Sequence, residues 1–386
     1  MSNSAIEIIG YDRCVGCYGC FNSCLVKGAI EFKKTKEGFY KPFLTEKCIF
    51  CGNCKNSCPV INKVNFNKKE ELKIYSCWSK NKEIVMKSSS GGVFSELAME
   101  YLSNNDIVFG AKWENGEIIH TAINKLEELD ELQKSKYLQS KIENSYLEVE
   151  NYLKIGKKVL FVGTPCQIAA LNIFINHKNL ITVDLVCHGI PSYKSYEKYI
   201  KENFNLNIED VTVDFRNKDT GWENFSLTFK KKGKVIIQNN HKKDIWFRGF
   251  LLNIYLNKPC YNCEFRSLPR VADITIGDFW GVPKKIKNSK GTSVVTINSE
   301  KGKKLFNKIK CNLEMNKVNF ETALKRNPCL SNYKMSNDIR DKFYEDFPKL
   351  SFKDLHEKYF PFNNLIISFI IRGLKFINRK IMRGKK

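Results

Sequence analysis

Cysteine offers more chemistry than any other residue type in this sequence, because fifteen of the 386 residues are cysteines. Eight of them form two groups near the N-terminus, and both groups have the spacing Cys-x2-Cys-x2-Cys-x3-Cys. Each cysteine of the first group recurs 34 positions later, so the groups are copies of one internal repeat. Thiols at such short spacings are typical metal ligands. The two groups are Cys14, Cys17, Cys20 and Cys24, and Cys48, Cys51, Cys54 and Cys58.

The spacing predicts that the two groups exchange their fourth ligands. In the two-cluster ferredoxin pattern, two-residue gaps let one tight loop give three thiolates to a 4Fe–4S cluster, and the other group gives the fourth. Zinc binding is the alternative, but two complete four-cysteine runs argue against it. We therefore expect an α+β ferredoxin-like domain over residues 1–68, with a β-hairpin at 29–44 between the copies. The predicted ligand sets are Cys14, Cys17, Cys20 and Cys58, and Cys24, Cys48, Cys51 and Cys54.

A β-strand, an α-helix and a second β-strand are predicted in the middle of the chain. VLFV at 159–162 has the character of a short buried strand, CQIAALNIF at 166–174 of a helix, and LITVDLVC at 180–187 of the next strand. Strands joined in this way run parallel, so both carboxyl ends lie at one edge of the sheet. Cys166 and Cys187 are therefore expected side by side at that edge.

A third cysteine motif, CYNC at 260–263, leaves its chemistry open. Together with Cys166 and Cys187 it could complete a third 4Fe–4S cluster built from separated segments. Spacing leaves three alternatives: a zinc site, a redox pair within CYNC, or ordinary buried thiols at Cys166 and Cys187. The cysteines without an assigned role are Cys77, Cys311 and Cys329.

An antiparallel meander is predicted for residues 208–240, because strand-like alternation is interrupted there by turn residues. Residues 244–256 are predicted to form a helix that leads into the CYNC motif. We expect this insertion to cover a binding pocket, with Arg248 facing the pocket and Trp246 packed in the core.

The chain carries a formal net charge of +23 at pH 7, which favours acidic partners such as nucleic acid, an anionic membrane or an acidic protein. A solvated basic surface is the alternative, because the excess is spread along most of the chain. No aromatic-interleaved basic motif is present, so nucleic acid is not expected as a partner. Neither a signal peptide nor a membrane-spanning apolar run is recognisable. We therefore expect a cytoplasmic protein, whose reduced thiols bind metals rather than form disulfides.

Residues 346–386 are predicted to form a basic amphipathic C-terminal tail. Its last part, LIISFIIRGLKFINRKIMRGKK at 365–386, has an apolar and a basic stripe at helical spacing and carries seven Lys/Arg and no acidic residue. Such a helix is typical of membrane surfaces and would place the protein peripherally at the inner face of the membrane. A helix docked on the body of the protein, with a solvated basic face, is the alternative.

Five segments follow one another in order: SSSGGVFSELA (88–98), SKYLQS (135–140), VLFVGTPCQIAAL (159–171), DLVCHGIPS (184–192) and CYNCEFRSLPRVADITIGDFWG (260–281). Together they resemble the beta-subunit family of coenzyme F420 hydrogenases and dehydrogenases, in which a ferredoxin module is a common companion. The resemblance implies a FAD-binding iron–sulfur oxidoreductase, with an α/β flavin-binding domain and a mixed sheet at 69–345. It also favours the third 4Fe–4S cluster. Its ligands would be Cys166, Cys187, Cys260 and Cys263.

The resemblance also implies roles for single residues. SSSGG precedes a helix whose free N–H groups would hold the FAD phosphates, and a serine cap on a flexible turn is the alternative. Lys136 would be a cation for phosphate or reduced flavin, His188 a proton donor and Asp278 a carboxylate facing the site. A solvated lysine, a loop-supporting histidine and a turn-capping aspartate are the alternatives. The predicted catalytic residues are His188, Lys136 and Asp278, and the predicted cofactor-binding residues are Ser89, Ser90, Gly91, Gly92, Lys136, Tyr137, Gln139, Ser140, Gly163, Thr164 and Pro165.

The expected function is that of a reductase. Electrons would pass from the two ferredoxin-type clusters through the third cluster to FAD, and on to a deazaflavin coenzyme or another organic acceptor. A flavin suits this route, because clusters carry single electrons and hydride transfer needs a pair. The alternative is an electron-transfer subunit of a larger redox complex, with the catalytic chemistry on a partner protein. The expected partners are a redox donor such as ferredoxin, or a partner oxidoreductase subunit, and a small-molecule acceptor.

Overall fold

The structure is a computed structural model that describes residues 3–63, 73–331, 333–335 and 338–362. Short 3-10 turns connect the regular elements of these residues. The β-strands are β1 (Ile30–Lys34), β2 (Tyr40–Leu44), β3 (Lys73–Ser79), β4 (Ile107–Glu114), β5 (Glu117–Ile123), β6 (Ser140–Lys141), β7 (Val159–Gly163), β8 (Leu180–Leu185), β9 (Thr212–Asn217), β10 (Ser226–Lys231), β11 (Lys234–Asn240), β12 (Ile274–Asp278), β13 (Ser293–Ile297) and β14 (Leu313–Val318). The helices are α1 (Ala5–Arg13), α2 (Gly19–Asn22), α3 (Asn53–Asn56), α4 (Lys82–Lys87), α5 (Val93–Leu102), α6 (Leu129–Leu132), α7 (Ser145–Lys154), α8 (Pro165–Phe174), α9 (Tyr193–Phe204), α10 (Ile245–Leu251), α11 (Glu300–Ile309), α12 (Phe320–Leu324), α13 (Arg340–Asp346) and α14 (Phe352–Tyr359).

A mixed sheet of nine strands, in the order β14-β3-β13-β12-β8-β7-β4-β5-β6, forms the centre of the described structure. Its four middle strands, β12, β8, β7 and β4, are parallel, and antiparallel strands flank them. The apolar run at 159–162 belongs to a strand whose side chains alternate between two buried clusters, since Leu160 packs on one face and Phe161 on the other. The expected α/β domain with a mixed sheet is confirmed.

The predicted strand–helix–strand unit is confirmed as β7, α8 and β8, and its two strands pair in parallel. Helix α8 begins where the sequence suggests, because Pro165 occupies its first turn and Thr164 and Gln167 form a capping box. Strand β8 ends at Leu185, two residues earlier than predicted. Cys187 therefore lies in the loop beyond the strand rather than in its last position.

The predicted meander is confirmed as a separate antiparallel sheet of β9, β10 and β11. The helix that follows is shorter than predicted, since α10 begins after its N-cap Asp244 and ends at Leu251. Asn253 then adopts a left-handed backbone conformation with φ of 62°, which turns the chain out of the helix. Trp246 is fully buried, as expected.

The N-terminal repeat packs directly against the sheet domain. Its predicted hairpin is confirmed as β1 and β2, which pair antiparallel. Gln139 of the larger domain accepts a hydrogen bond from the Tyr40 amide at 2.8 Å and donates to the Tyr40 carbonyl at 3.0 Å. On the other side, the Asn22 side chain donates to the Glu143 carbonyl at 2.7 Å. The repeat is thus tied to the larger domain by backbone-directed hydrogen bonds.

Part of the predicted C-terminal tail belongs to the core. Phe352 and Phe360 are fully buried, and they pack in the same apolar cluster as Trp246. A domain boundary at residue 345 would therefore cut through a packed cluster. The amphipathic pattern predicted at 365–386 lies outside the described residues. Among the helices that the structure describes, none is long and apolar enough to cross a membrane.

Candidate functional site

Cys58 from the second repeat lies beside the first three cysteines of the first repeat. All four of these residues line one cavity between α1, α2 and the hairpin. Burial raises the pKa of the Cys17 thiol well above its ordinary value, and the nearby thiols of Cys58, Cys20 and Cys14 raise it further. The structure thus brings together the residues predicted for the first cluster, which we call the inner thiol set: Cys14, Cys17, Cys20 and Cys58.

Cys24 from the first repeat lies in turn beside three cysteines of the second repeat. Burial raises the pKa of the Cys24 thiol, and Cys54, Cys51 and Cys48 are the thiols whose charge acts on it. Cys51 is exposed to solvent, in contrast to Cys17 in the inner thiol set. The thiols are thus arranged as the predicted exchange of fourth ligands requires. We call this second group the outer thiol set: Cys24, Cys48, Cys51 and Cys54.

A third group of thiols lies at the carboxyl edge of the parallel strands. Burial raises the pKa of Cys187 well above its ordinary value, and the nearby thiols of Cys260, Cys166 and Cys263 raise it further. Cys166 is held in the first turn of α8, where Thr164 Oγ1 lies 3.3 Å from its sulfur. The three segments that carry these cysteines lie together, and we call their four cysteines the edge thiol set: Cys166, Cys187, Cys260 and Cys263.

The donor chemistry of all three thiol sets suits iron–sulfur clusters. Each set offers four thiols, and each thiolate of a 4Fe–4S cluster binds a different iron atom of the cube. Among the residues that the structure describes, no three His, Cys, Asp or Glu side chains are close enough to share a single metal ion. The three thiol sets therefore fit the predicted cluster ligands by chemistry and by proximity, and cluster binding itself stays a prediction.

The inner and edge thiol sets are neighbours. Cys17 is close enough to contribute to the raised pKa of Cys166, although burial and Cys263 contribute more. The Tyr146 hydroxyl lies between them, 2.9 Å from the Cys17 carbonyl and 3.0 Å from the Gln167 carbonyl. Because Tyr146 is fully buried, these contacts hold the loop of the inner set against helix α8.

A buried lysine lies between the same two thiol sets. Lys41 is 3 % exposed, and its ammonium donates to the Cys14 carbonyl and to Asn257 Oδ1, the latter at 2.9 Å. Burial lowers the pKa of Lys41, and the nearby thiols of Cys14 and Cys260 oppose that shift. One cation thus faces both groups of thiols. The sequence offers no signal for it, since Lys41 stands among ordinary hairpin residues.

Cys329 is a fifth thiol near the edge thiol set. It is buried, and the Arg266 guanidinium donates to its sulfur at 3.3 Å and also to the Cys260 carbonyl. The sequence assigned Cys329 no role because no motif surrounds it, and it comes from a 3-10 turn more than sixty residues after CYNC.

A cavity of about 590 Å³ opens directly beyond the edge thiol set, and both Cys166 and Cys187 line it. Its volume is in the range of small-molecule and cofactor sites, which is about 300–1,000 Å³. Phe247 and Phe250 supply apolar wall, and Arg326 and His241 supply polar groups. The predicted residues that line the cavity are Ser89, Ser90, Gly92, Lys136, Tyr137, Gln139, Ser140, Gly163, Thr164, His188 and Asp278.

Two predicted cofactor-binding residues, Gly91 and Pro165, are not among the residues that line the cavity. Gly91 packs against the sheet, where a Cβ atom would stand 2.4 Å from the Cys77 carbonyl oxygen, so only glycine fits. Pro165 is buried at the start of α8. The expectation that Arg248 faces the pocket is wrong, because its guanidinium donates to the carbonyls of Phe360 and Pro361 at 2.8 and 2.7 Å.

The Lys136 side chain folds back onto the preceding segment of its own chain. Its ammonium donates to the carbonyls of Glu131 and Gln133 at 2.9 and 2.7 Å. Burial lowers the pKa of Lys136 to about 7. A lysine with this pKa can exchange a proton near neutral pH, which an ordinary solvated lysine does not do. The expected solvated alternative for Lys136 is therefore disfavoured.

His188 is half-buried in the cavity wall. Its ring meets the edge of Phe250 at a centroid distance of 5.0 Å, and its Nε2 has no hydrogen-bond partner among the described residues. Burial, followed by the positive charge of Arg266, lowers the pKa of His188 to about 4. The side chain is therefore neutral at pH 7, and the predicted role as a proton donor stays a prediction.

Asp278 has both carboxylate oxygens engaged. Arg216, which is 1 % exposed, donates to them at 2.7 and 3.0 Å, and Trp222 donates at 2.8 Å. The Arg216 guanidinium also lies over the rings of Phe225 and Trp280, at 4.2 and 5.0 Å from their centroids. Asp278 therefore holds an arginine in the cavity wall, which leaves it little freedom to transfer protons.

The cavity wall carries more positive than negative side chains. Sequence reasoning missed Arg216 and Lys134, which line the cavity from the meander sheet and from the loop before SKYLQS. It also missed Lys218, whose ammonium donates to the Ser90 carbonyl at 2.9 Å and whose pKa burial lowers to about 7. The backbone of the SSSGG loop is thus held by a cation from a different sheet. Excess positive charge suits an anionic occupant such as a diphosphate.

Comparison with known proteins gives a family match and structural likenesses. Residues 156–322 match the family described as the C-terminal part of the beta subunit of coenzyme F420 hydrogenase/dehydrogenase. No curated protein matches the sequence significantly. A chain of the F420-reducing [NiFe] hydrogenase complex from Methanosarcina barkeri is similar in structure, with a TM-score of 0.47 and 19% sequence identity, over 69% of this chain and 95% of that one.

The matched range contains β7, α8, β8, the meander and the CYNC motif, and so most of the segments on which the sequence resemblance rests. It contributes all four cysteines of the edge thiol set and a large part of the cavity wall. Residues 156–322 are thus similar to the C-terminal part of the coenzyme F420 hydrogenase/dehydrogenase beta subunit.

Proposed function

We propose that this protein is an iron–sulfur flavoprotein oxidoreductase. The outer, inner and edge thiol sets would each hold one 4Fe–4S cluster, and the cavity would hold FAD. These groups would supply one-electron transfer along the three thiol sets and its conversion into a two-electron transfer to an organic acceptor. The similarity of residues 156–322 to a hydrogenase and dehydrogenase subunit family supports the oxidoreductase chemistry.

The continuity of the thiol sets with the cavity is the observation that carries this proposal. Cys24 and Cys58 each lie with the opposite repeat, so the outer and inner sets are interleaved. Cys17 neighbours Cys166, and Cys166 itself lines the cavity. An unbroken series of thiols from the surface to a cavity suits electron transfer, whereas isolated structural metal sites need no such series.

The cavity residues fit FAD by size and chemistry. The phosphates would lie at the start of α5, whose N-cap Gly92 provides no side-chain hydrogen bond, with Lys134 and Arg216 nearby. Bound FAD would convert single electrons into a hydride equivalent. Phe247 and Phe250 give the cavity an apolar wall, and Lys136, whose pKa burial lowers to about 7, is suited to hold or release a proton near neutral pH.

A second candidate function is that of an electron-transfer subunit without its own acceptor site. A flat, exposed cofactor edge would favour it. The cavity is instead lined by His188, His241 and Arg326 together with aromatic side chains, which favours an acceptor that binds to this chain.

Anaerobic purification followed by quantitation of iron, sulfide and flavin tests the proposal. We expect about twelve iron atoms and one FAD per chain, because three cubane clusters hold four irons each. About eight iron atoms without flavin would overturn the proposal. Cys260→Ser should then remove one of the three clusters, whereas Cys311→Ser, at an exposed cysteine outside the thiol sets, should remove none.

A further inference from the structure

The outer thiol set is surrounded by exposed apolar side chains. Leu25 is 81 % exposed, Ile49 is 67 % exposed and Phe50 is 50 % exposed. Leu25 directly follows Cys24, and Ile49 and Phe50 lie between Cys48 and Cys51. Large apolar side chains that gather in one exposed place mark an interaction surface more often than scattered single ones do.

The two loops that carry these side chains lie next to each other. The Thr45 hydroxyl donates to the Gly28 carbonyl at 2.7 Å, and the Lys47 ammonium is 3.5 Å from the place where a Cβ atom of Gly28 would stand. Cys24 and Cys51 are close enough to interact electrostatically. We call the resulting patch the Cys51 surface; it comprises Leu25, Lys27, Lys47, Ile49, Phe50, Cys51 and Lys55.

Phe50 occupies a backbone conformation that a large side chain rarely adopts. Its φ is 51°, in the left-handed region, where glycine meets no steric cost. The equivalent position of the first repeat, 34 residues earlier, is Gly16 with φ of 70°. There a Cβ atom would stand 2.8 Å from the Tyr40 carbonyl oxygen, because that repeat packs against its own chain. Phe50 thus has a steric cost in its backbone and places half of its surface in solvent, so its side chain is available for contact with a partner.

The charge around the apolar side chains is positive. Lys27, Lys47 and Lys55 are exposed around the outer thiol set, and Glu46 is the acidic residue in the same loops. The whole chain adds to this field with its net charge of +23. Such a surface attracts an acidic partner over a distance, and the apolar side chains then supply the contact.

We infer that the Cys51 surface is the docking site of an acidic, reduced one-electron carrier protein. The inference rests on the proposed function, since it names the electron donor of the outer cluster. In each encounter the carrier loses one electron and the cluster held by the outer thiol set gains it; no covalent bond forms or breaks.

Direct binding of a probe protein tests the inference. The probe is an oxidised two-cluster ferredoxin with an acidic surface, and its affinity for the anaerobically purified protein is measured by titration calorimetry at low and high salt. Lys27→Glu/Lys47→Glu/Lys55→Glu should weaken binding by about tenfold or more and remove its salt dependence. The matched control is Lys232→Glu/Lys234→Glu/Lys242→Glu, which reverses three exposed lysines in β11 and its flanking turns and should leave the affinity unchanged.

Phe50→Gly separates docking from folding. Glycine relieves the left-handed backbone, so this variant should unfold at the same or a higher temperature than the parent while it binds the ferredoxin more weakly. Its flavin should still be reduced at the parent rate by methyl viologen radical, which needs no docking surface.

Unchanged ferredoxin affinity in both the charge-reversed variant and Phe50→Gly would overturn the docking site. Equal loss of the reaction with ferredoxin and with methyl viologen would also overturn it, because the side chains would then act on the cluster. Iron and flavin contents of the parent protein are measured on the same preparation; a parent without flavin would contradict the proposed function instead.

Discussion

The inner and outer thiol sets have the same spacing in the sequence and opposite surroundings in the structure. Gly16 of the inner loop lies under Gln139 and Tyr40, whereas Phe50 at the matching position faces solvent. The inner thiols share a buried cation, Lys41, with the edge thiol set, and Cys51 in the outer set is exposed. A repeat can thus supply two chemically equal sites, and the packing of one copy against a second domain makes them different.

This difference has a direct electrostatic consequence. A cluster gains negative charge when it is reduced, and a buried cation stabilises that charge more than solvent-screened lysines do. Clusters bound by the inner and edge thiol sets, near Lys41, would therefore have higher reduction potentials than a cluster bound by the outer thiol set. Electrons would then flow from the surface toward the cavity.

Removal of one thiol from each set should produce the largest contrast. Cys14→Ser and Cys51→Ser should each lose about four of about twelve iron atoms. In Cys14→Ser the route to the cavity is interrupted, so the flavin should no longer be reduced by ferredoxin. In Cys51→Ser a small donor such as methyl viologen should still reduce it. Stopped-flow flavin reduction with both donors measures this, and equal behaviour of the two variants would contradict the assignment of inner and outer sites.

Breaking the buried ion pair in the cavity wall should have the next largest effect. Arg216→Met leaves the Asp278 carboxylate buried without its partner, which should cost about 3–5 kcal/mol of unfolding free energy. The control, Lys258→Met, removes an ion pair to Asp12 between side chains that are 43% and 72% exposed, and about 0–1 kcal/mol is expected. Denaturant unfolding of both variants measures the contrast. Similar losses would mean that the cavity wall is open to solvent.

A pH-dependent loss of stability is expected from His120, which is buried beside the cavity. Burial lowers its pKa to about 4, so the unfolded state binds a proton between pH 6.5 and 4 while the folded state does not. The contribution of His120 to the unfolding free energy should fall with falling pH by about 1.4 kcal/mol per unit in that window. His120→Asn should make thermal unfolding less steep in pH; an unchanged profile would show that the ring is hydrated.

Replacement of Lys41 should give the smallest effect, which is confined to the reduction potentials of two of the three clusters. In Lys41→Met the potentials of the inner and edge clusters should fall, by about 40 mV if the charge contributes about 1 kcal/mol to the reduced state. The outer cluster is the internal control and should keep its potential. Redox titration followed by electron paramagnetic resonance resolves the clusters, and a uniform shift of all three would contradict a local role of Lys41.

The sequence predicts most of what depends on short spacing. The positions of Pro165 and Cys166 are predictable because strand, turn and helix signals lie within twenty residues of each other, and parallel connection follows from that order. The exchange of Cys24 and Cys58 is predictable because two-residue gaps restrict three thiols to one loop. Helix α10 is shorter than its pattern predicts. The chain turns at Asn253, and because asparagine also occurs within helices, its presence does not mark the end of this one.

Long-range pairs are not predictable in the same way. Arg216 and Asp278 come from different sheets and are 62 residues apart, and Cys329 reaches the edge thiol set through Arg266, from which it is separated by 63 residues. Nothing in the local sequence distinguishes these charged residues from ordinary surface charges, or Cys329 from a cysteine without a role. Their partners are selected by burial, which is a property of the folded chain.

By itself, the sequence determined how many thiols gather, how they are shared between the repeats, and which strand–helix–strand unit holds two more of them. These properties depend on local geometry, which the spacing of residues restricts. Only the tertiary structure decided which copy of the repeat faces the cavity, which cation lies between the thiol sets, and which loop is left exposed with a strained Phe50. These properties depend on desolvation and on contacts between distant segments, and the spacing within two identical motifs contains no information about either.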